Sequence, residues 1–236
     1  MDHSYEALNQ EYDKIGRLTW AERDFCSEFL ESSRSLFTPT SLSLKTPEPK
    51  ELEVFALVSG LEFSIQLQNL VLQIQFEIDQ IIGLTTRYWV KPKNLGVEYC
   101  VFKWPTDNWD SARTEVVLEV LRKTQFEKFN LVIGGIQINR DGCVILKGFD
   151  ENKSLSNLRG NLRGQVNFLP KKQSNWAHVP IGRILDPIGG CNFDALRDYI
   201  SRHNTEYIHT ELINDAKFVH ERQWYMEKRD ILMRIS

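Results

Sequence analysis

The spacing of hydrophobic residues along the chain predicts short buried strands interleaved with amphipathic helices. Residues 53–58 form an apolar run that is typical of a buried strand, and Ser59-Gly60 ends it. Over residues 61–82 the apolar positions recur at spacings of three and four, which predicts a helix with one buried face. The same reasoning predicts strands at 87–90, 97–103, 130–138, 143–149, 207–213, 217–222 and 231–235, a short strand around 178–181, and helices at 107–123, 155–168 and 193–203.

The first 50 residues differ in pattern from the rest of the chain. Thr19-Trp20-Ala21-Glu22 has the form of a capping box, in which a hydroxyl and a carboxylate satisfy backbone N–H groups at a helix start. We therefore expect a helix from there to about Ser33. Residues 38–49 are rich in Ser, Thr and Pro, which favours a linker. The sequence predicts a helical arm and linker over 1–50, packed on a domain over 51–236.

The order of the predicted elements divides that domain into two lobes. Strand, helix, strand, strand and helix follow one another up to residue 123, and a polar turn at 91–94 joins the two strands of this half. A second polar turn at 139–142 predicts a hairpin at the start of the other half. We place the boundary near Phe129, which gives lobes of about 51–129 and 130–236.

Composition narrows the range of partners. The 236 residues carry 29 Lys and Arg against 32 Asp and Glu, a formal net charge of −3, so no protein-wide positive field attracts nucleic acid. Between Glu151 and Arg183, six Lys or Arg residues outnumber one Glu, which favours either a local phosphate site or a solvated basic surface. The four cysteines lack metal-ligand spacing and no apolar run is long enough to span a bilayer. We expect no disulfide, no metal, no membrane contact and a cytoplasmic location; no protein partner is indicated.

The segment around His178 carries the best candidate chemistry. In an extended segment His178 and Pro180 share one face, while Val179 and Ile181 share the other, which suits a half-buried strand with an imidazole in a cleft. Strict alternation places Arg183 on the opposite face, but Gly182 permits a bulge that brings the guanidinium back toward the histidine. The alternative is that both side chains are structural.

The sequence His178-Val179-Pro180-Ile181-Gly182-Arg183 resembles the second motif, roughly HxTLGR, of the 2H phosphoesterase superfamily, the 2',5' RNA ligase and 2',3'-cyclic phosphodiesterase-like proteins. Pro180 stands where the family has Thr or Ser and supplies no hydroxyl. The resemblance is best from about Glu53 to Ile213. It implies an α+β protein with two antiparallel-sheet lobes around a central cleft and outer helices. It also implies acid–base chemistry by two facing histidines, without metal or cofactor, on a cyclic phosphate, nucleotide or RNA end.

The first histidine motif of that family is missing, since the chain has no histidine between His3 and His178. One register places Glu98 at the histidine and Cys100 at the threonine, on a shared strand face. A second register places Tyr99 at the histidine, and a third places Gly96 there. We favour the first, and with it Glu98 and Cys100 join His178 as candidate catalytic groups.

Further residues are candidates for binding. A positive cleft is predicted from Arg183 with Lys171, Lys172 and Lys103. His220 is a second candidate histidine, with Tyr225 close by in the sequence, although a histidine bonded within a sheet is the commoner case. Trp104 and Trp176 lie near the two motif positions and are candidates for stacking on a base. Three functions stay open: a 2H-type enzyme, a catalytically degenerate binding protein, and an interaction protein that keeps only the fold.

Overall fold

The computed structural model describes residues 5–236, in which helices cover the outside of two β-sheets. The predicted helices of the domain are confirmed with small changes at their ends, and Ser64 begins the longest one by accepting a hydrogen bond from the backbone N–H of Leu67. The helices are α1 (Tyr5–Trp20), α2 (Ser27–Arg34), α3 (Ile65–Ile82), α4 (Ser111–Lys123), α5 (Ser154–Gln165) and α6 (Gly190–His203), with short 3₁₀ turns at Pro39–Ser41 and Pro92–Asn94.

The strands form two antiparallel sheets, so the predicted α+β class is confirmed. They are β1 (Glu51–Gly60), β2 (Arg87–Trp89), β3 (Gly96–Lys103), β4 (Phe129–Ile138), β5 (Cys143–Phe149), β6 (Val179–Ile184), β7 (His209–Ile213), β8 (Ala216–Gln223) and β9 (Lys228–Ile235). The first sheet has the order β3-β1-β8-β9, and the second has the order β2-β6-β5-β4-β7. The predicted hairpin is present as β4 and β5.

The two sheets do not correspond to the two halves of the chain. Strand β2 lies in the second sheet, where it pairs with β6, although its sequence neighbours β1 and β3 belong to the first. At the other end, β8 and β9 return to the first sheet, where β8 pairs with β1. The 3₁₀ turn at Pro92–Asn94 carries the chain from one sheet to the other. The predicted boundary near Phe129 therefore does not separate the sheets.

The N-terminal helices pack on the body of the protein. Tyr12 of α1 is fully buried, and its hydroxyl donates to the carbonyl of Gly148 in β5 at 3.2 Å. The predicted capping box was wrong, because Thr19 lies in the last turn of α1 instead of at a helix start. Its hydroxyl donates to the carbonyl of Ile138 at 2.9 Å, so it ties α1 to β4. No helix in the described part of the chain is long and apolar enough to cross a membrane.

Candidate functional site

A cavity of about 810 Å³ lies between the two sheets. The first sheet contributes Val54, Ala56 and Val58 of β1, Gly96 and Glu98 of β3 and Glu221 of β8, and the second contributes Pro180 and Arg183 of β6. Irregular segments and the β8–β9 turn complete the wall with Trp104, Asp107, Lys172, Ser174, Trp176, His178, Trp224 and Tyr225, among others. We call this space the central cavity.

The β6 wall has the predicted alternation. His178 immediately precedes the strand and, like Pro180, it lines the central cavity, whereas Val179 and Ile181 are fully buried in the hydrophobic core. The pairing with β5 shifts by one residue between Pro180 and Gly182, which leaves an extra residue in β6. This bulge returns Arg183 to the cavity face.

His178 is a neutral imidazole in this setting. Its ring meets the ring of Trp176 edge to face, with centroids 5.7 Å apart, and its Nδ1 atom is buried without a hydrogen-bond partner. Burial lowers the pKa of His178 to about 4, and the positive charges of Arg159 and Arg183 lower it further. One nitrogen of this neutral ring therefore has no hydrogen-bond partner among the described residues.

Arg183 is held by the protein itself. Its Nη1 atom donates to the Asp141 carboxylate at 2.7 Å and to the hydroxyl of Ser33, and its Nε atom donates to the hydroxyl of Tyr225. The carboxylate neutralises the guanidinium, and three of its donors are already used. The geometry places Arg183 in the cavity wall as part of a structural cluster.

On the β3 wall the structure brings in Glu98 but excludes Cys100. The register between β1 and β3 shifts between Val58–Glu98 and Leu57–Cys100, so Tyr99 is an extra residue in β3. Because of this bulge the two side chains do not share a face: Glu98 lines the cavity, while Cys100 is 2% exposed in the core. The expectation that Cys100 faces the cleft was therefore wrong. In the core, burial raises the pKa of the Cys100 thiol to about 12.

Glu98 occupies a desolvated position between the sheets. Burial raises the pKa of its carboxyl. Three contacts lower that pKa in part: the charge of Arg159, a hydrogen bond from the backbone N–H of Ser174, and the charge of Lys172. Arg159 reaches β3 from α5 and donates through a single Nη2 atom to the carbonyl of Glu98 at 2.5 Å and to that of Trp176 at 2.7 Å. That contact joins the segment before β6 to the Glu98 wall.

Two further candidates on β3 lie outside the cavity. Tyr99 is 1% exposed, and its hydroxyl bonds to that of Ser59 at 2.8 Å. Lys103 is 4% exposed, and its Nζ atom donates to the carbonyl of Glu53 at 3.0 Å and pairs with the Glu53 carboxylate at 3.3 Å. Neither side chain lines the central cavity.

On β8 the cavity receives Glu221 instead of His220. His220 lies opposite Phe55 of β1 and stacks on its ring at 4.4 Å, away from the cavity. Glu221 lies opposite Val54, which lines the cavity, and burial raises the pKa of its carboxyl to about 7. Period two places Glu221 on the cavity face and His220 on the other face, so His220 is not brought to the central cavity. Tyr225 lines the cavity, and its role in binding stays a prediction.

Charge in the cavity does not match the predicted positive cleft. Lys103 and Lys171 are absent from its wall, Arg183 is neutralised, and Lys172 lies over the ring of Trp104 at 5.3 Å. The charged groups that line the cavity are the carboxyls Glu98, Asp107, Asp141 and Glu221 and the cations Lys172 and Arg183. The described residues contain no cluster of His, Cys, Asp or Glu that could hold a metal ion.

Comparison with known proteins identifies the fold. No family model and no curated protein matches the chain. Among solved structures, Escherichia coli LigT in its apo form matches with a TM-score of 0.53 at 12% identity, over 78% of this chain and 97% of LigT. TT0787 of Thermus thermophilus matches with a TM-score of 0.55 at 10% identity, over 78% of this chain and 97% of TT0787. ATU0111 of Agrobacterium tumefaciens matches with a TM-score of 0.55 at 12% identity, over 83% of this chain and 90% of ATU0111. The chain has the fold of the 2H phosphoesterases.

The 2H fold accounts for the position of the central cavity, which lies in the predicted cleft between two antiparallel sheets. The resemblance inferred from the His178 segment is confirmed at the level of the fold. Glu221 and Asp141 were missed by sequence reasoning, since neither belongs to a recognisable motif. The pairing of β8 with β1 places Glu221 at the site, and the ion pair with Arg183 places Asp141 there.

Proposed function

We propose that the protein binds a small organic ligand in the central cavity and does not carry out a two-histidine phosphodiester reaction. A volume of about 810 Å³ lies within the range of small-molecule sites. Trp104, Trp176 and Trp224 provide apolar walls, and Glu98 and His178 provide polar groups between them. The observation that carries the proposal is that His178 is the one histidine among the described residues that line the cavity.

The residues opposite His178 support the loss of the two-histidine chemistry. That chemistry needs one group to accept a proton and a second to donate one. In the favoured register of the resemblance, Glu98 stands at the position of the other histidine. Pro180 offers no hydroxyl for a phosphate, and Cys100 points into the core.

A hydrolytic reaction by His178 and Glu98 is the second candidate. The lowered pKa of His178 keeps its ring neutral, and the raised pKa of Glu98 favours its protonated form, so the two could act as base and acid. LigT has been solved with 3'-AMP and with ATP, which makes nucleotides and RNA ends the first phosphate compounds to test.

Two assays separate these functions. Purified protein is incubated with 2',3'-cyclic AMP, and we expect wild type to show no turnover above that of the His178→Ala variant. Turnover that is lost in both His178→Ala and Glu98→Gln would establish the second candidate instead.

Binding is measured separately with nucleotides and with small neutral, cationic and anionic aromatic compounds, by thermal shift and tryptophan fluorescence. We expect saturable binding that Ala56→Phe abolishes by filling the cavity, because Ala56 lines it. Ala112→Phe is the matched control, since Ala112 is exposed on α4. Binding that survives Ala56→Phe would place the ligand elsewhere.

A further inference from the structure

We propose that the central cavity recognises an organic ammonium group attached to an apolar body, with the ammonium group held at Glu98. This inference rests on the proposed ligand-binding function and assigns its chemical class. An ammonium ligand carries a positive charge into the cavity, whereas a phosphate ligand carries a negative one.

The charged groups of the wall leave an excess of carboxyl groups. Asp141 and Arg183 neutralise each other, and Lys172 covers the outer tryptophan, Trp104. Glu98, Asp107 and Glu221 remain, and the strands that carry Glu98 and Glu221 both neighbour β1. A phosphate placed between Glu98 and Glu221 would oppose the ionised form of either carboxyl in a poorly hydrated space, whereas a cation would stabilise that form.

Of the available carboxyl groups, Glu98 is the one that lies beside the segment carrying His178, since it accepts the backbone N–H of Ser174. Asp107 accepts from the backbone N–H of Trp104 at 2.9 Å, and Glu221 accepts from that of Met226 at 2.9 Å, so both hold turns of their own chain. Glu98 receives the N–H of Ser174, and a carboxylate has about four acceptor positions. Arg159 lies behind this wall with its donors on the backbone carbonyls of residues 98, 99 and 176.

The unpartnered nitrogen of His178 points to the same class. In the tautomer protonated at Nε2 the Nδ1 atom is an acceptor that needs an N–H donor, and an ammonium group supplies up to three. The Nδ1 atom is buried and has no partner within the described chain. Arg159 binds the carbonyls of both Glu98 and Trp176 through one atom, which brings the Glu98 strand close to the segment that carries His178.

The tryptophan rings of the cavity wall also suit a ligand with an ammonium group and an apolar body. Trp104 and Trp224 line the cavity with their rings 6.5 Å apart and inclined at 45°, and Trp176 borders His178. Indole faces attract cations and cover apolar ligand surface. A phosphate would gain nothing from these faces.

The test compares three compounds of similar size, phenethylamine, 2-phenylethanol and 3-phenylpropionate, with 3'-AMP as the nucleotide. Affinities are measured by calorimetry at pH 8 with wild type, Glu98→Gln and the control Glu119→Gln, whose carboxylate is exposed on α4. We expect wild type to bind phenethylamine at least tenfold more tightly than the alcohol, and the acid more weakly still. Glu98→Gln should lose that tenfold preference, and Glu119→Gln should keep it.

The other outcomes separate the two proposals. Tighter binding of 3-phenylpropionate or 3'-AMP, equal affinity for amine and alcohol, or an unchanged preference in Glu98→Gln would overturn the ammonium class while leaving ligand binding in place. Absence of saturable binding by all four compounds would count against both proposals. Lowering the pH should weaken amine binding in wild type, since protonation removes the Glu98 charge, and a pH-independent affinity would also overturn the ammonium class.

Discussion

Gln173 forms both hydrogen bonds that a neighbouring strand would make with Val101 of β3. Its side-chain N–H donates to the Val101 carbonyl at 2.7 Å, and its side-chain oxygen accepts from the Val101 N–H at 3.0 Å. Strand β3 is an edge strand of the first sheet, so these backbone groups have no other strand on that side. The amide thereby fixes the segment before β6 to the wall that carries Glu98.

We expect Gln173→Ala to lower the free energy of unfolding by about 1–3 kcal/mol, because it leaves two buried backbone groups without partners. Urea denaturation measures this loss. Gln73→Ala is the control, since Gln73 is exposed and bonds only within α3. Equal unfolding midpoints for the two variants would show that the amide does not hold the segment.

Arg183 should stabilise the protein and should not serve phosphate binding. Replacing it by Met leaves Asp141 without its cation and Ser33 without its donor, so we expect a loss of about 2 kcal/mol in unfolding free energy. Asp141→Asn in the same chain should recover part of that loss, as a double-mutant cycle would show.

The matched control for this cycle is Arg222→Met, since Arg222 and its partner Asp230 are both about half exposed. We expect it to cost less than 1 kcal/mol. A loss in Arg183→Met no larger than in this control would argue against the structural role.

His178 should make the protein less stable in mild acid. Its pKa is about 4 in the folded state and 6.5 for an unperturbed histidine, so the unfolded chain binds the proton more readily between those values. Stability from this group is therefore unaffected above pH 6.5 and falls as the pH drops toward 4, by roughly 2 kcal/mol at pH 4.5. The variant His178→Gln should lose less stability between pH 7 and pH 4.5 than wild type does, as measured by urea unfolding at both pH values. Parallel losses in the two proteins would contradict the lowered pKa.

Glu221 should have the opposite pH dependence. Its pKa is raised to about 7 from 4.5, so the folded state holds the proton more tightly and stability falls as the pH rises from 4.5 to 7. Glu221→Gln keeps an acceptor for the Met226 N–H and removes the buried charge. We expect it to be about 3 kcal/mol more stable than wild type at pH 8 and nearly equal at pH 4.5, as thermal unfolding at each pH would show. A destabilised variant at pH 8 would mean that the carboxylate is needed at the turn.

Within residues 51–236 the sequence by itself determined the strands, the helices and one wall of the cavity. Alternation of polar and apolar residues is a local property, and it placed His178 and Pro180 opposite Val179 and Ile181 without knowledge of any partner strand. Gly182 also signalled the bulge beside Arg183. The 2H fold followed from this short motif and the order of the elements.

Only the tertiary structure decided which groups meet in the cavity. The bulge at Tyr99 arises from the pairing of β3 with β1, and it turns Cys100 into the core while leaving Glu98 at the cavity. Glu221 reaches the site because β8 crosses back to pair with β1, more than 150 residues away along the chain. Partners distant in sequence likewise neutralise Arg183 and hold Lys103 outside the cavity. Register and ion pairing depend on residues that are brought together by folding, so period and composition within one segment do not determine them.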